Sequence, residues 1–500
     1  MNAQLSPVHH TAPAAAPAPR TIAVAHGDGI GPEIMDAVLH VLRHAVPDLR
    51  MQPVAMGEAA YRSGHMNGIL PQTWDALAQH PVLLKGPMTT PQGGGYKSIN
   101  VTLRKTLGLF ANVRPCVAYH PYVDALHPGM DVVIVRENEE DTYGGIEHRQ
   151  TDEVMQCLKL ITRPGCERIV RYAFEYAMAH GRRKVTCMTK DNIMKLTDGL
   201  FHRVFDEIAA EYPQLEAEHR IIDIGAARMA SRPRDYDVVV TPNLYGDILS
   251  DIAAEVAGSI GLAPSANIGL HGAMFEAVHG SATDIAGKNI ANPSGLLLAA
   301  VQMLLHIGEA DAARDIHNAW LRTLEEGLHT RDLFNERTSR RCLGTREFAH
   351  AVVERLGLVP QHLPAVDYRQ SPATPVQAPQ DAAPRARQDK VLEGVDVFLD
   401  WDEADRDPNT LARRLQAAAP AGLRLTVVTN RGVKVWPEGH PDTFCTDHWR
   451  CRFKAVAGTL APEGVPELLV RLLEAGLPAV KTENLYRFDG QPGYSVAQGE

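Results

Sequence analysis

The chain of 500 residues contains no Cys-x-x-Cys pair, and no apolar run approaches the ~18 residues that a membrane-spanning helix needs. Its seven cysteines are scattered and odd in number, which favours a reducing cytosol over a disulfide framework. Residues 1–20 are rich in Ala and Pro and lack the charged start and apolar middle of a secretory signal. We therefore expect a cytoplasmic protein with a disordered N-terminal tail and no membrane partner.

An excess of positive charge is also missing. The formal net charge is -10, which argues against a general binder of nucleic acid or of membrane surfaces. Hydrophobic residues make up 45% and charged residues 22% of the chain, as in ordinary globular proteins. A small anionic substrate stays possible, because it needs only a local group of Arg and Lys.

Strand and helix patterns alternate from Thr21 to about Leu356. This alternation predicts an α/β architecture with at least partly parallel strands. Composition then changes, because residues 358–390 are rich in Pro, Ala and Gln and predict a linker or an extended arm. Patterned sequence resumes at 391–500, which is long enough for a small α+β domain.

Two carboxylates stand out at Asp247 and Asp251, after a short apolar strand at 236–240. Spacing of four places both on one face of a helix. Like charges there repel unless a cation lies between them, and Mg²⁺ or Mn²⁺ prefers such oxygen ligands. The alternative is an acidic first turn that the helix dipole favours.

Other candidates follow predicted strands. Arg104, Arg114 and Arg136 offer guanidinium groups that match carboxylates, although each taken alone is more typical of a solvated surface. Tyr143 and Lys190 are candidates for proton transfer, with an ordinary turn tyrosine and surface lysine as the alternative. The turn from Gly27 to Gly31 departs from the dinucleotide motif GxGxxG.

Together these segments resemble the β-decarboxylating dehydrogenases of isocitrate and isopropylmalate over about Thr21 to Leu356. The resemblance rests on four motifs, at Gly27–Glu33, Asn243–Asp251, Pro264–Gly269 and Phe275–Ser281. Ser98-Ile99-Asn100 is similar to the isocitrate form. Beyond the linker, Asn430–Gly432, Arg450–Phe453 and Ala497–Glu500 resemble the extra domain of long bacterial isocitrate dehydrogenases of the Thermus type.

The resemblance implies a two-lobed isopropylmalate dehydrogenase-like fold, not a Rossmann fold, over 21–357. It places the large lobe at 21–115 and 265–357, and the small lobe with a dimer clasp at 116–264. It implies isocitrate as substrate, Mg²⁺ or Mn²⁺, and a homodimer with shared active sites, in which Lys190 and Asp223 serve the other subunit. The implied roles are substrate binding by Ser98, Asn100, Arg104, Arg114 and Arg136; metal binding by Asp223, Asp247 and Asp251; proton transfer by Tyr143 and Lys190; and cofactor binding by Thr89, Thr90, Asn192, His279, Gly280, Ser281, Ala282, Thr283, Asp284, Ile285 and Asn292.

The cofactor loop departs from NADP-dependent relatives, which carry Lys-Tyr where this chain has Asp284-Ile285. An aspartate accepts hydrogen bonds from ribose hydroxyls and repels a phosphate. The sequence therefore predicts NAD, with NADP as the alternative. The expected reaction is the oxidative decarboxylation of isocitrate to 2-oxoglutarate and CO₂, a step of the tricarboxylic acid cycle.

Three alternatives remain open. The substrate could be homoisocitrate or a 3-isopropylmalate-type acid, although Ser98 and Asn100 favour isocitrate. A non-catalytic regulatory subunit would be expected to lose metal or proton-transfer residues, and this chain keeps Tyr143, Lys190 and all three aspartates. The C-terminal domain could sense a ligand or simply support the dimer.

Overall fold

The computed structural model describes residues 21–90, 95–368 and 386–496. The predicted tail at 1–20, much of the linker and the motif at 497–500 lie outside this range. The described chain divides into two compact units, one of residues 1–139, 167–188 and 205–377 and one of 140–166, 189–204 and 378–500.

Twenty strands and thirteen α-helices lie in the described residues. The strands are β1 Thr21–Ala25, β2 Arg50–Pro53, β3 Val82–Lys85, β4 Ala111–Val117, β5 Asp131–Glu137, β6 Glu147–Arg149, β7 Met155–Cys157, β8 Lys184–Thr189, β9 Glu216–Ile221, β10 Val238–Thr241, β11 Pro264–Ile268, β12 Ala273–Ala277, β13 Leu328–Thr330, β14 Arg341–Leu343, β15 Lys390–Asp400, β16 Leu423–Asn430, β17 Val433–Trp436, β18 His448–Ala455, β19 Ala479–Phe488 and β20 Gln491–Pro492. The helices are α1 Gly31–Ala45, α2 Glu58–Arg62, α3 Pro71–Gln79, α4 Ile99–Thr106, α5 Arg163–Ala179, α6 Thr197–Ala209, α7 Ile222–Ser231, α8 Asn243–Ala257, α9 Ser294–His306, α10 Ala310–Glu325, α11 Thr345–Val353, α12 Pro408–Ala418 and α13 Gly464–Glu474.

The first unit is built on one mixed sheet of ten strands, in the order β2-β1-β3-β12-β11-β4-β5-β10-β8-β9. Its flanking strands pair in parallel, as β1 does with β3 and β10 with β5. Three central pairings, β12-β11, β11-β4 and β4-β5, are antiparallel. The predicted partly parallel α/β fold is therefore confirmed.

The first part of the predicted linker is fixed to α10. The carboxylate of Glu325 accepts hydrogen bonds from the backbone N–H groups of Gln361, His362 and Leu363 at 2.6, 2.9 and 3.2 Å. Asn318 exchanges two hydrogen bonds with the backbone of Val366. Residues 361–366 therefore form part of the first unit's surface.

The second unit contains the C-terminal sheet, with order β17-β16-β18-β15-β19-β20. Its strands pair in antiparallel fashion, and α12 and α13 pack on one face around Trp449 and Phe453. The hairpin of β6 and β7 belongs to this unit. Arg406 binds the carboxylate of Glu153 in that hairpin through two nitrogens at 2.8 and 3.0 Å, and Thr151 donates to Asp447 at 2.6 Å. The C-terminal domain therefore contacts the hairpin through one buried hydrogen bond and one exposed ion pair.

Within the described residues, no helix is long and apolar enough to cross a membrane.

Candidate active site

Three adjacent strands present polar side chains on one face of the large sheet. Because strand side chains alternate between faces, Asn112 and Arg114 of β4 lie on the same side. Their neighbours are Arg136 on β5 and Asn267 on β11, which stand opposite Asn112 in the strand register. All four side chains are buried. Polar groups on so many neighbouring central strands mark this face as the candidate site.

Arg136 and Arg114 meet the first of the two helix carboxylates. Arg136 donates to Asn243 from Nε and Nη2 at 2.9 and 2.7 Å, and its Nη1 binds Asp247. Arg114 Nη1 lies 3.2 Å from Asp247 Oδ1 and 3.6 Å from Asp251 Oδ1. Helix α8 approaches β5 closely because it carries Gly246, where an added Cβ would lie 2.6 Å from Arg136 Cγ.

Asp247 and Asp251 lie one turn apart on α8, whose first turn holds no acidic residue. The alternative of a dipole-favoured acidic first turn is therefore wrong. Burial raises the pKa of Asp251, Arg114 opposes the shift, and the nearby Asp247 adds to it. The pair is thus a half-exposed set of oxygen donors whose mutual repulsion a cation would relieve.

Asp223, the third predicted metal ligand, is exposed in the first turn of α7. Among the described residues its carboxylate does not form a ligand group with those of Asp247 and Asp251, all within 4.8 Å of one another. Within one chain the structure therefore brings together two of the three predicted ligands.

Arg104 is held by a buried charge cluster. Its Nη2 lies 3.0 Å from Glu276 Oε1, and Lys85 Nζ lies 2.7 Å from Glu276 Oε2. Burial acts to raise the pKa of Glu276, but Lys85 and Arg104 outweigh it and hold that pKa well below the usual range. Asn267 donates to Glu276 Oε1 at 2.9 Å and so links this cluster to the central strands.

Lys85, Glu276, Asn112 and Asn267 were not predicted as site residues. Lys85 ends the apolar strand Val-Leu-Leu-Lys, and Glu276 lies between Phe275 and Ala277 in a fully buried strand. A charged residue inside such a short apolar strand is the signal that could have identified Lys85 and Glu276, because an unpaired charge is rarely buried.

Ser98 and Asn100 lie at the start of α4, near Arg104. The hydroxyl of Ser98 caps the helix and lies 3.4 Å from that of Thr90. In the described part of the chain, Asn100 Oδ1, Arg104 Nε and Arg114 Nε are buried side-chain atoms with no hydrogen-bond partner. Such atoms cost about 1–3 kcal/mol each when unsatisfied, so each of these three residues has hydrogen-bonding capacity that a polar ligand would fill.

The predicted cofactor loop rests against the glycine-rich turn after β1. Ile30 N donates to Ser281 O at 2.9 Å, and Thr89 Oγ1 donates to Ser281 Oγ at 3.1 Å. Gly29 permits this approach, because its φ is +59° and an added Cβ would lie 2.0 Å from Ser281 O. Asp28 accepts a hydrogen bond from the backbone N–H of Thr89 at 2.9 Å and so holds the segment of Thr89 against the same turn.

The remaining loop residues vary in exposure. Burial lowers the pKa of His279, and Asn292 is buried with its amide donated to Asp332 at 2.9 Å. The exposed residues of the loop are Gly280, Ala282, Thr283, Asp284, Gly287 and Lys288, while Ile285 is half-buried.

Tyr143, Lys190 and Asn192 belong to the second unit. Tyr143 lies in the 3₁₀ turn Thr142–Gly144. Lys190 directly follows β8, as predicted, and Asn192 is exposed in the next turn.

The reverse of the same strands carries a separate cavity of about 290 Å³. It is lined by Val113 and Pro115 of β4, Ala266 of β11 and Phe275 of β12, with Tyr119 beside them. The alternation of side chains thus separates a polar front face from an apolar cavity behind it.

Comparison with known proteins identifies the family of this chain. Residues 21–352 match the model of the isocitrate/isopropylmalate dehydrogenase family, and residues 390–500 match that of the bacterial isocitrate dehydrogenase C-terminal domain. The chain belongs to the isocitrate/isopropylmalate dehydrogenase family. Within it, the chain is of the long bacterial isocitrate dehydrogenase type that carries a C-terminal domain.

The relatives match along nearly their whole length. The chain is 50% identical over 480 residues to an "Isocitrate dehydrogenase [NADP]" of Rickettsia felis, covering 96% of this chain and 99% of the relative. It is 43% identical over 490 residues to the protein of the same name from Thermus thermophilus, covering 96% of each. A crystal structure of a Thermus thermophilus protein superposes with a TM-score of 0.89 at 42% identity, again covering 96% of each chain.

The predicted preference for NAD is wrong, because these relatives are named as NADP enzymes. The prediction gave Asp284 a decisive role. That carboxylate is exposed, where water screens its charge. Lys288 is also exposed on the loop, and Arg346 lies beside it, since its backbone N–H donates to Asn289 Oδ1 at 3.1 Å. One solvated aspartate therefore does not exclude a phosphate from this surface.

Proposed function

We propose that this protein catalyses the NADP-dependent oxidative decarboxylation of isocitrate to 2-oxoglutarate and CO₂. The observation that carries the proposal is that Arg114 lies beside the carboxylate pair of Asp247 and Asp251 and retains a buried Nε with no partner among the described residues, while Asn100 and Arg104 also retain unsatisfied buried atoms. Lys85, Arg104, Arg114 and Arg136 supply four cations against the three carboxylates of Glu276, Asp247 and Asp251. This leaves a net positive charge, which favours an anionic substrate.

Isocitrate fits these groups because it offers three carboxylates and one hydroxyl. Guanidinium groups of Arg104, Arg114 and Arg136 match carboxylates in geometry and charge. Ser98 and Asn100 add a hydroxyl and an amide at the start of α4. An alkyl chain in place of a carboxylate would leave these polar atoms unsatisfied, so isopropylmalate is disfavoured.

Asp247 and Asp251 fit a divalent cation, since both are oxygen donors on one helix face. Mg²⁺ or Mn²⁺ bound there supplies Lewis acidity, which lowers the pKa of the substrate hydroxyl and stabilises negative charge after CO₂ leaves. Arg114 and Arg136 contact Asp247 and hold that carboxylate in place.

Lys190 would take the proton of the substrate hydroxyl, and the nicotinamide of a bound cofactor would accept the hydride. Tyr143 then gives a proton to the carbon that has lost CO₂. We also propose a homodimer, in which Lys190 and Asp223 of the partner subunit complete each site. The support is that Asp223 does not join Asp247 and Asp251 within the described chain.

The reaction is tested by steady-state assay with isocitrate and Mn²⁺, with homoisocitrate and 3-isopropylmalate as competitors. We expect kcat/KM for isocitrate to exceed the others by at least about 100-fold, as buried polar groups discriminate strongly. Equal or better turnover of another acid would contradict the proposal. Lys190→Met and Tyr143→Phe should each lower kcat by on the order of 100-fold or more.

The cofactor is tested by comparing kcat/KM for NADP and NAD. We expect NADP to be preferred, and Lys288→Gln with Arg346→Gln to reduce that preference. Arg43→Gln, an exposed arginine on α1, is the matched control. A higher kcat/KM with NAD in the unaltered enzyme would overturn the cofactor assignment.

A further inference from the structure

A buried ion cluster lies between the turns that carry Tyr143 and Lys190. In the second unit, Lys159 Nζ lies 2.7 Å from Asp198 Oδ1 and 3.4 Å from Asp141 Oδ1. Both aspartate side chains are fully buried, and that of Lys159 is 15% exposed. Neither the sequence motifs nor the proposed reaction has given these three residues a role.

Asp198 fixes the backbone of Lys190. Its Oδ2 accepts a hydrogen bond from Lys190 N at 2.7 Å. The carbonyl of Lys190 in turn accepts from Ile193 N and Met194 N at 3.0 and 2.9 Å. Lys190 is therefore held at both its backbone N–H and its carbonyl, which fixes the direction in which its side chain leaves the chain.

Asp141 fixes the turn of Tyr143. Its φ is +66° and its ψ is -155°, a backbone conformation that residues other than glycine rarely adopt. Its Oδ1 accepts from Thr142 N at 2.8 Å, and its backbone N–H donates to Leu160 O at 2.9 Å. The 3₁₀ turn Thr142–Gly144 thus begins at a residue that its surroundings hold in an unfavourable conformation.

We propose that Lys159 is a positioning residue that links the turns of Tyr143 and Lys190, so that both proton-transfer groups move as one rigid piece. Its ammonium group bridges Asp141, which shapes the first turn, and Asp198, which holds the second. Lys159 acts through these aspartates and touches no reacting atom. This inference rests on the proposed roles of Tyr143 and Lys190.

The alternative is a purely structural ion cluster, and kinetics separate the two. We expect Lys159→Met to lower kcat by about 10- to 100-fold, while KM for isocitrate changes by less than about threefold, because misplacing a proton-transfer group affects the transition state and not the ground-state complex. Lys184→Met is the matched control. Lys184 is similarly buried, with 18% of its side chain exposed, and pairs with Glu216 and Glu218 at 3.1 and 2.7 Å. The Lys184→Met substitution should leave kcat within about twofold of the value for the unaltered enzyme.

The decisive measurement repeats Lys159→Met in a Lys190→Met background and in a Tyr143→Phe background. If Lys159 acts through the proton-transfer groups, its removal should lower kcat much less in at least one of these backgrounds than in the unaltered enzyme. The same fold-loss in all three proteins, or an unchanged kcat for Lys159→Met alone, would overturn the proposal. If Lys159→Met does not fold, Asp198→Asn serves instead, since it keeps the volume and removes the charge that Lys159 binds.

Failure of the proposed function gives a different result. If Lys190→Met and Tyr143→Phe retain near-normal turnover, the roles of those two residues are wrong, whatever Lys159 does. If both lose activity while Lys159→Met and Asp198→Asn keep theirs, only the positioning role is wrong.

Discussion

Two buried arginines, one in each unit, form similar ion pairs but differ in the hydrogen-bonding capacity that they have left for a ligand. Arg104 binds Glu276 beside Lys85 and retains a buried Nε with no partner among the described residues. Arg452 of β18 forms a bidentate ion pair with Asp396 at 2.8 and 2.9 Å. Its guanidinium group also donates to Ser495 O at 3.1 Å and lies 4.7 Å from the centre of the Tyr494 ring. The first arginine has bonding capacity left for a ligand. The second uses its capacity within the fold, so burial of charge alone does not mark a functional site.

The largest effect is expected on stability. Glu276→Gln leaves the fully buried Lys85 without its ionised partner, and breaking a buried pair in this way costs about 3–5 kcal/mol. Urea unfolding measures the loss. Lys85→Met added to Glu276→Gln should recover at least half of it, because the unpaired ammonium group is then gone. An unchanged unfolding midpoint for Glu276→Gln would show that the pair is not ionised in the fold.

The next effect distinguishes the two arginines by activity. Arg104→Met should lower kcat/KM for isocitrate by about 100- to 1000-fold, since loss of a charged hydrogen-bonding group costs roughly 2–5 kcal/mol. Arg452→Met should destabilise the protein yet leave kcat/KM within about threefold in the protein that remains folded. The comparison fails if both variants lose activity to the same extent at a temperature where both are folded.

The smallest effect concerns a buried group that the fold keeps neutral. Burial lowers the pKa of His317 to about 4 from 6.5. Because the folded pKa is depressed, the unfolded chain binds the extra proton, and stability is lost as pH falls from about 6.5 towards 4. We expect a slope near 1 kcal/mol per pH unit in that range, and a shallower slope for His317→Gln. The free energy of unfolding of both proteins is measured by urea unfolding at pH 7 and at pH 5. An equal loss between these two pH values in the unaltered protein and in His317→Gln would contradict the prediction.

The sequence predicted the order of strands and helices and the shared face of Asp247 and Asp251, because both depend on local periodicity. The cluster of Lys85, Glu276 and Asn267 was not predictable in that way. It joins residues that are far apart in sequence, and one polar residue in an apolar strand does not reveal its partner. The cofactor prediction failed for a related reason, since the exposure of Asp284 and the proximity of Arg346 to the loop are tertiary facts.

The cavity behind β4 and β11 has a consequence for engineering and for natural variation. Val113 and Ala266 form its wall, while Arg114 and Asn267, the next residues along, face the front of the sheet. A bulkier side chain at Val113 or Ala266 has space to extend into the cavity. We therefore expect such a substitution to shift the strand slightly without unfolding the protein. Libraries that aim to change the choice of acid substrate should therefore include these cavity-lining positions, because they support the neighbouring polar residues on the opposite face of the sheet.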